Sequence, residues 1–211
     1  RMKNLAKKLI LPLLHLIRRT ISAVQYHALP RPSSPADGTG LAYQYYKEDE
    51  IRDCYHHFKK YFYDAVFLRS GKSMRRYAID QALLNHQPGY FYFEFGVYTG
   101  NSLNQMSEWL SNIKIYGFDS FEGLREDMIG GYPDNPKGQF NRNKQPPRLN
   151  NNCVPVVGWI QDTLPKFISE NPSLKINFVH IDTDTYPTTK FLLQNIKPYL
   201  TNNAILIFDE L

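Results

Sequence analysis

Short apolar runs recur near residues 90–95, 113–118, 154–158, 176–182 and 204–209, and stretches with helical spacing lie near 101–112, 163–170 and 187–199. Strands alternating with helices predict an α/β fold, a doubly wound, mostly parallel sheet with helices on both faces and right-handed connections. Ahead of this block, Glu48 to Asn85 follows a helical pattern, and Ser73 to Leu84 reads as the helix that enters the first strand. Aromatics at Tyr55, Phe58, Phe62 and Phe67 are read as core packing along the first half of that lead-in. Two stretches break the rhythm. Residues 29–41 are rich in Pro, Ser and Gly and read as a linker. Residues 125–152, with Gly130-Gly131, Pro146-Pro147 and Asn150-Asn151-Asn152, form a long polar loop, read as a mobile lid or substrate loop. The organisation expected is an extension over 1–28, a linker over 29–41, and one domain over 42–211 with a helical lead-in at 42–85.

Ligands of such sheets bind at the carboxyl ends of the strands, and the chemistry-bearing residues Glu94, Asp119, Asp182 and Asp209 all fall there. The first strand runs into Glu94-Phe95-Gly96-Val97-Tyr98-Thr99-Gly100, followed by the helix opening Asn101-Ser102-Leu103. Glycines let backbone approach a ligand, and the free N–H groups of a first helical turn point at it. Asp119, at the tip of the second strand, is placed to accept hydrogen bonds from both ribose hydroxyls of a nucleoside. The G-x-G-x-x-G pattern that hugs a pyrophosphate is missing, since Tyr98 stands where a second close glycine belongs. That favours a cofactor with an adenosine but no diphosphate, of which S-adenosylmethionine is the common one.

His180-Ile181-Asp182-Thr183-Asp184 closes the fourth strand and Phe208-Asp209-Glu210 the fifth. Acids on one rim with oxygen-only ligands select a hard divalent cation, Mg²⁺ first and Mn²⁺ second. Such an ion binds a substrate hydroxyl and lowers its pKa. His180 alternates with Asp182 in strand period and is a second candidate general base, with a hydrogen-bonded core histidine as the plainer outcome.

Charge divides unevenly. Residues 1–30 hold Arg1, Lys3, Lys7, Lys8, Arg18 and Arg19 and no acid, while the remainder carries 19 basic and 20 acidic residues. The globular part is balanced and suggests no nucleic-acid groove. The apolar stretch Leu9 to Ile17 is too short to span a bilayer. A basic helix lying on an anionic membrane surface fits residues 1–28, and so does a helix packed on its own domain or a partner. Cys54 and Cys153 make no disulfide framework, so a cytoplasmic setting, with or without membrane association, is the default.

Five stretches in order, Glu94 to Gly100, Tyr116 to Leu124, Gly158 to Pro165, His180 to Tyr186 and Ile207 to Glu210, resemble class I S-adenosylmethionine-dependent methyltransferases over residues 73–211. The resemblance is particularly to the macrocin O-methyltransferase family of metal-dependent sugar-hydroxyl methylators. It implies an O-methyltransferase that acts on a sugar or small natural product. Cofactor contacts would come from Glu94, Gly96, Tyr98, Gly100, Ser102, Asp119, Ser120, Gln161 and Asp162. Metal ligands would be Asp182, Asp209 and Glu210, and the catalytic groups Asp182 and His180. Partners implied are a small-molecule or saccharide acceptor, with a homo-oligomer compatible. The fold normally continues with another helix and an antiparallel strand pair, so the chain is expected to be truncated at Leu211 or to have its fifth strand covered by a partner.

Two rival readings stand beside this one. Asp182-Thr183-Asp184 also matches the D-x-D of metal-dependent glycosyltransferases, and the basic N-terminus suits a non-catalytic, membrane-associated module with a degenerate cofactor fold.

Overall fold

The computed structural model describes residues 38–127 and 135–209. The basic extension, most of the expected linker and Glu210 lie outside the described residues. The chain divides into two compact units, Arg1–Val66 and Phe67–Leu211.

The first unit contains helix α1 (Gly38–Phe62). It begins inside the segment expected to be linker. Glycines at 38 and 40 each cost about 1 kcal/mol of helix propensity, which the good helix formers Leu41, Ala42, Gln44, Lys47 and Glu48 offset. The aromatic stripe is not core: Tyr55 and Phe62 are exposed and Phe58 is half-buried, and Phe67, beyond the helix, is 74% exposed. Tyr55 and Phe62 meet each other along one helix face, ring centroids 6.2 Å apart, which covers only part of each ring.

The second unit opens with α2 (Gly71–Leu84), capped by Ser70, whose Oγ accepts from the Ser73 amide at 3.1 Å. Then follow β1 (Phe91–Phe95), α3 (Asn101–Leu110), β2 (Ile115–Asp119), β3 (Cys153–Val157), α4 (Ile160–Glu170), β4 (Ile176–Ile181), α5 (Tyr186–Ile196), a 3₁₀ turn (Lys197–Tyr199) and β5 (Leu200–Phe208). The five strands form one sheet in the order β3-β2-β1-β4-β5, every pair parallel. This is the expected Rossmann-like architecture, and β5 is one edge of it among the described residues.

Both faces of the sheet are covered, so β1 is buried over Tyr92 to Phe95 with no polar-out alternation. Phe93, Phe95, Phe118, Val179 and Ile181 pack under Ile160 and Leu164 of α4 and Leu192 and Ile196 of α5. Tyr92 and Phe178 face the other way, among Ala78, Ile79 and Ala82 of α2 and Leu103, Met106 and Leu110 of α3. Glu94 shares parity with Tyr92, so its carboxylate enters the α2/α3 side. The strand order reverses between β1 and β4, and a ligand crevice opens at such a reversal.

The loop after β2 differs from a free lid over its described part. Asn104 on α3 donates from Nδ2 to the Arg148 carbonyl at 3.0 Å and accepts the Asn150 amide at 2.8 Å. Asn152 Nδ2 reaches the carbonyls of Ser107, Ser111 and Ile113 at 2.9, 3.1 and 3.2 Å, closing the C-terminal end of α3. The asparagine run is a staple. We expect Asn152→Ala to destabilise the protein by about 1–2 kcal/mol in urea unfolding, the cost of stranding partly buried carbonyls.

Candidate active site

Backbone hydrogen bonds tie the strand tips into a continuous rim. Gly158 N donates to Asp119 O at 2.9 Å, Gly96 N to Phe118 O at 2.9 Å, Asp182 N to Phe95 O at 2.8 Å and Asp209 N to Ile181 O at 3.0 Å. Gly96, at φ 88°, sits so close to the β4 tip that a Cβ placed on it would lie 1.7 Å from the Asp182 carbonyl oxygen. Only glycine permits that approach. Above the rim opens a cavity of about 850 Å³, in part continuous with solvent. Three residues on its wall, Tyr98, Phe140 and Asp184, hold left-handed φ values of 45°, 67° and 59° without being glycine. Backbone strain of this kind concentrates at ligand sites.

Asp119 stitches the loops together. Its Oδ2 accepts the amides of Val97 and Tyr98, both at 2.8 Å, and its Oδ1 accepts the Phe121 amide at 2.7 Å. Those three bonds use most of the roughly four acceptor sites of a carboxylate. Asp119 also lines the cavity.

Beneath the cavity floor lies a buried charge cluster. Register pairs Glu94 of β1 with His180 of β4, and both are fully buried. His180 Nδ1 donates to Glu94 Oε1 at 2.8 Å. Its Nε2 lies 3.7 Å from Asp209 Oδ1, an electrostatic contact too long for a hydrogen bond. Nε2 and the second Glu94 oxygen have no hydrogen-bond partner. Arg75 of α2 reaches the same Asp209 oxygen at 3.9 Å. Burial alone would push His180 down, but Asp209 and Glu94 outweigh it and hold the imidazole protonated up to about 9. Burial and then the Asp209 carboxylate raise Asp182 to about 7. Asp209 is lowered, chiefly by His180.

The description "Methyltransferase domain" belongs to the family that matches residues 93–211, more than half of the chain. The chain belongs to that family. Its structure is similar to the crystal structure of the calicheamicin methyltransferase CalS11, at 23% identity and a TM-score of 0.55, covering 91% of this chain and 76% of that one. It is also similar to the apo structure of CalS11, described as TDP-rhamnose 3'-O-methyltransferase, with 29% identity, TM-score 0.47 and coverage of 66% and 61%. The O-methyltransferase NovP gives 21% identity, TM-score 0.48 and coverage of 66% and 64%. No curated protein matches the sequence.

Of the residues expected to hold a cofactor in this methyltransferase, Gly96, Tyr98, Asp119, Ser120 and Gln161 line the cavity. Four do not. Glu94 turns to His180 in the core. Gly100 backs onto Leu149 and Pro147, which a Cβ would meet at 2.8 and 2.9 Å. Ser102 lies past the first residue of α3, outside the cavity wall. Asp162 is exposed in the first turn of α4, where a carboxylate suits the helix dipole. Trp159, Arg125 and Phe140 join the wall unforeseen. Arg125 lies over the Trp159 ring at 5.7 Å, and Phe140 meets Tyr98 edge-on at 5.2 Å. Trp159 carried a signal, as an aromatic one glycine past the β3 tip. The other two sit on irregular chain, where periodicity is silent.

His180, Asp182 and Asp209 can each offer one atom within 4.8 Å of the others'. A buried, orphaned ring nitrogen beside a half-buried and an exposed carboxylate fits a divalent cation. Among the described residues no helix is long and apolar enough to cross a membrane.

Gly96→Ala is expected to abolish ligand binding at this rim, because its methyl cannot coexist with the β4 tip; calorimetry with S-adenosylhomocysteine reads the loss. Asp119→Ala leaves three amide donors without their acceptor and should destabilise the protein by at least about 2 kcal/mol in urea unfolding.

Proposed function

We propose that this methyltransferase moves a methyl group from S-adenosylmethionine to a hydroxyl of a sugar or small natural product, with a divalent cation, Mg²⁺ or Mn²⁺, at the rim. The observation that carries the reading is the contact between the two tips: the Gly96 turn and Asp182 touch and line one cavity, which brings a cofactor on the first loop next to an ion held from Asp182. A family match over residues 93–211 supports the reaction class, and the calicheamicin methyltransferase supports the fold.

In this reading the backbone of Gly96 to Tyr98, together with Asp119, Ser120 and Gln161, holds the adenosine end of the donor. S-adenosylmethionine supplies a methyl on a sulfonium whose departure leaves a neutral thioether, and the cation supplies positive charge that favours an ionised hydroxyl. Alignment is then the protein's main task, since holding donor and acceptor in line removes most of the entropic barrier. Asp182 lines the cavity; without an ion, burial and the Asp209 carboxylate raise it to about 7, and as an ion ligand it takes the carboxylate form. His180 is fully buried, bonded to Glu94, and does not line the cavity wall. Asp182 and Asp209 are the carboxylates that hold the ion; Glu210, expected as a third, lies outside the described residues.

Calorimetry should show S-adenosylhomocysteine binding while uridine and guanosine diphosphates do not bind; the reverse preference would mark a glycosyltransferase. Asp182→Ala and Asp209→Ala should each abolish metal-stimulated turnover and leave S-adenosylhomocysteine binding within about threefold. Unchanged turnover in chelator and in both variants would remove the metal from the mechanism.

A further inference from the structure

The imidazole of His180 is more than a neighbour of the acids. Its Nε2 is fully buried, has no hydrogen-bond partner, and is aimed at the Asp209 carboxylate 3.7 Å away. The opposite nitrogen is fixed by the 2.8 Å bond to Glu94, whose strand lies beside its own in direct register. A carboxylate gripping one ring nitrogen while the other faces a cation site is the recurrent arrangement of metal-ligating histidines. Two ligands of one ion with bonds of about 2.0–2.2 Å lie roughly 3–4.4 Å apart. The three donors here fall within 4.8 Å of one another, a contraction of a few tenths of an ångström from a ligand set.

Resting on the reading that the rim holds a divalent ion, we propose that His180 is itself a ligand through Nε2, with Glu94 as the group that orients it. Among the described residues the site is then one nitrogen and two carboxylates, His180, Asp182 and Asp209, with Glu210 lying outside them. Imidazole suits first-row transition ions, and carboxylate suits Mg²⁺, Ca²⁺ and Mn²⁺. A mixed set therefore selects Mn²⁺ over Mg²⁺. An imidazolium that merely pairs with Asp209 would fill the same space with no nitrogen on the ion.

The test is pulsed electron-spin resonance of Mn²⁺ bound to the whole chain. Modulation from ¹⁴N is expected in the unaltered protein, with replacement by a ¹⁵N pattern when only histidine is labelled. The signal should vanish in His180→Gln and in Asp182→Asn, and Glu94→Gln should weaken Mn²⁺ binding about 10–100-fold. Labelling needs no variant, so it stands even where His180→Gln does not fold. Mn²⁺ bound with no nitrogen modulation would overturn the inference and leave the rim ion in place. A nitrogen signal that survives in His180→Gln and Asp182→Asn would overturn it as an ion bound elsewhere. Absence of any Mn²⁺ binding in calorimetry would overturn it together with the metal reading it rests on.

Discussion

The site depends on one close approach. The turn after β1 passes so near the end of β4 that position 96 has no room for a side chain, and the Asp182 carbonyl occupies the space a Cβ would need. That contact joins the two halves of the sheet where their winding reverses. The neighbouring strand tips extend it through the amides of Gly158, Asp182 and Asp209, each donated to a carbonyl of the adjacent strand or its tip. Asp119 adds a second layer by gathering amides from both adjoining loops into one carboxylate. The cavity is thus built of backbone held by backbone.

A buried charge network underlies this rim. Glu94 and His180 lie in the part of the sheet where every neighbouring strand residue is apolar, and a solitary charge there would be costly. Pairing across the β1/β4 register, and a further contact to Asp209, compensate for it. Arg75 brings α2 to the same Asp209 oxygen and also donates to Gln105 of α3 at 3.4 Å, so both helices on that face are connected to the acid at the β5 tip. Glu94, His180, Asp209 and Arg75 thus form one chain of contacts from β1 through β4 and the β5 tip to α2.

Much of this was legible in the sequence. Five apolar runs and the helices between them placed the strands, and the requirement that ligands bind at strand ends picked out Asp119, Asp182 and Asp209. Gly96 was legible because a tight turn between strand and helix demands it. The direction of Glu94 was not, because in a strand buried on both faces neither side is marked as the ligand side until the register is known. Asp162 is exposed while Gln161 lines the cavity, because in a helix one residue's shift turns a side chain by a quarter turn or more. The aromatic stripe of α1 carried the helical spacing of a core element, yet spacing shows which residues share a face and not what covers that face. Asn150 to Asn152 looked like flexible loop because composition marks polar residues without showing whether their amides find partners.

The central claim is that the first loop and the fourth and fifth strand tips form a single pocket for donor and ion. Proton magnetic resonance of S-adenosylhomocysteine bound to the protein, with Mn²⁺ added as a paramagnetic probe, tests it most directly. The account predicts that bound Mn²⁺ broadens the resonances of the thioether end, and that the effect disappears when Asp182 is replaced by Ala. Ligand resonances untouched by Mn²⁺ that is demonstrably bound would contradict it.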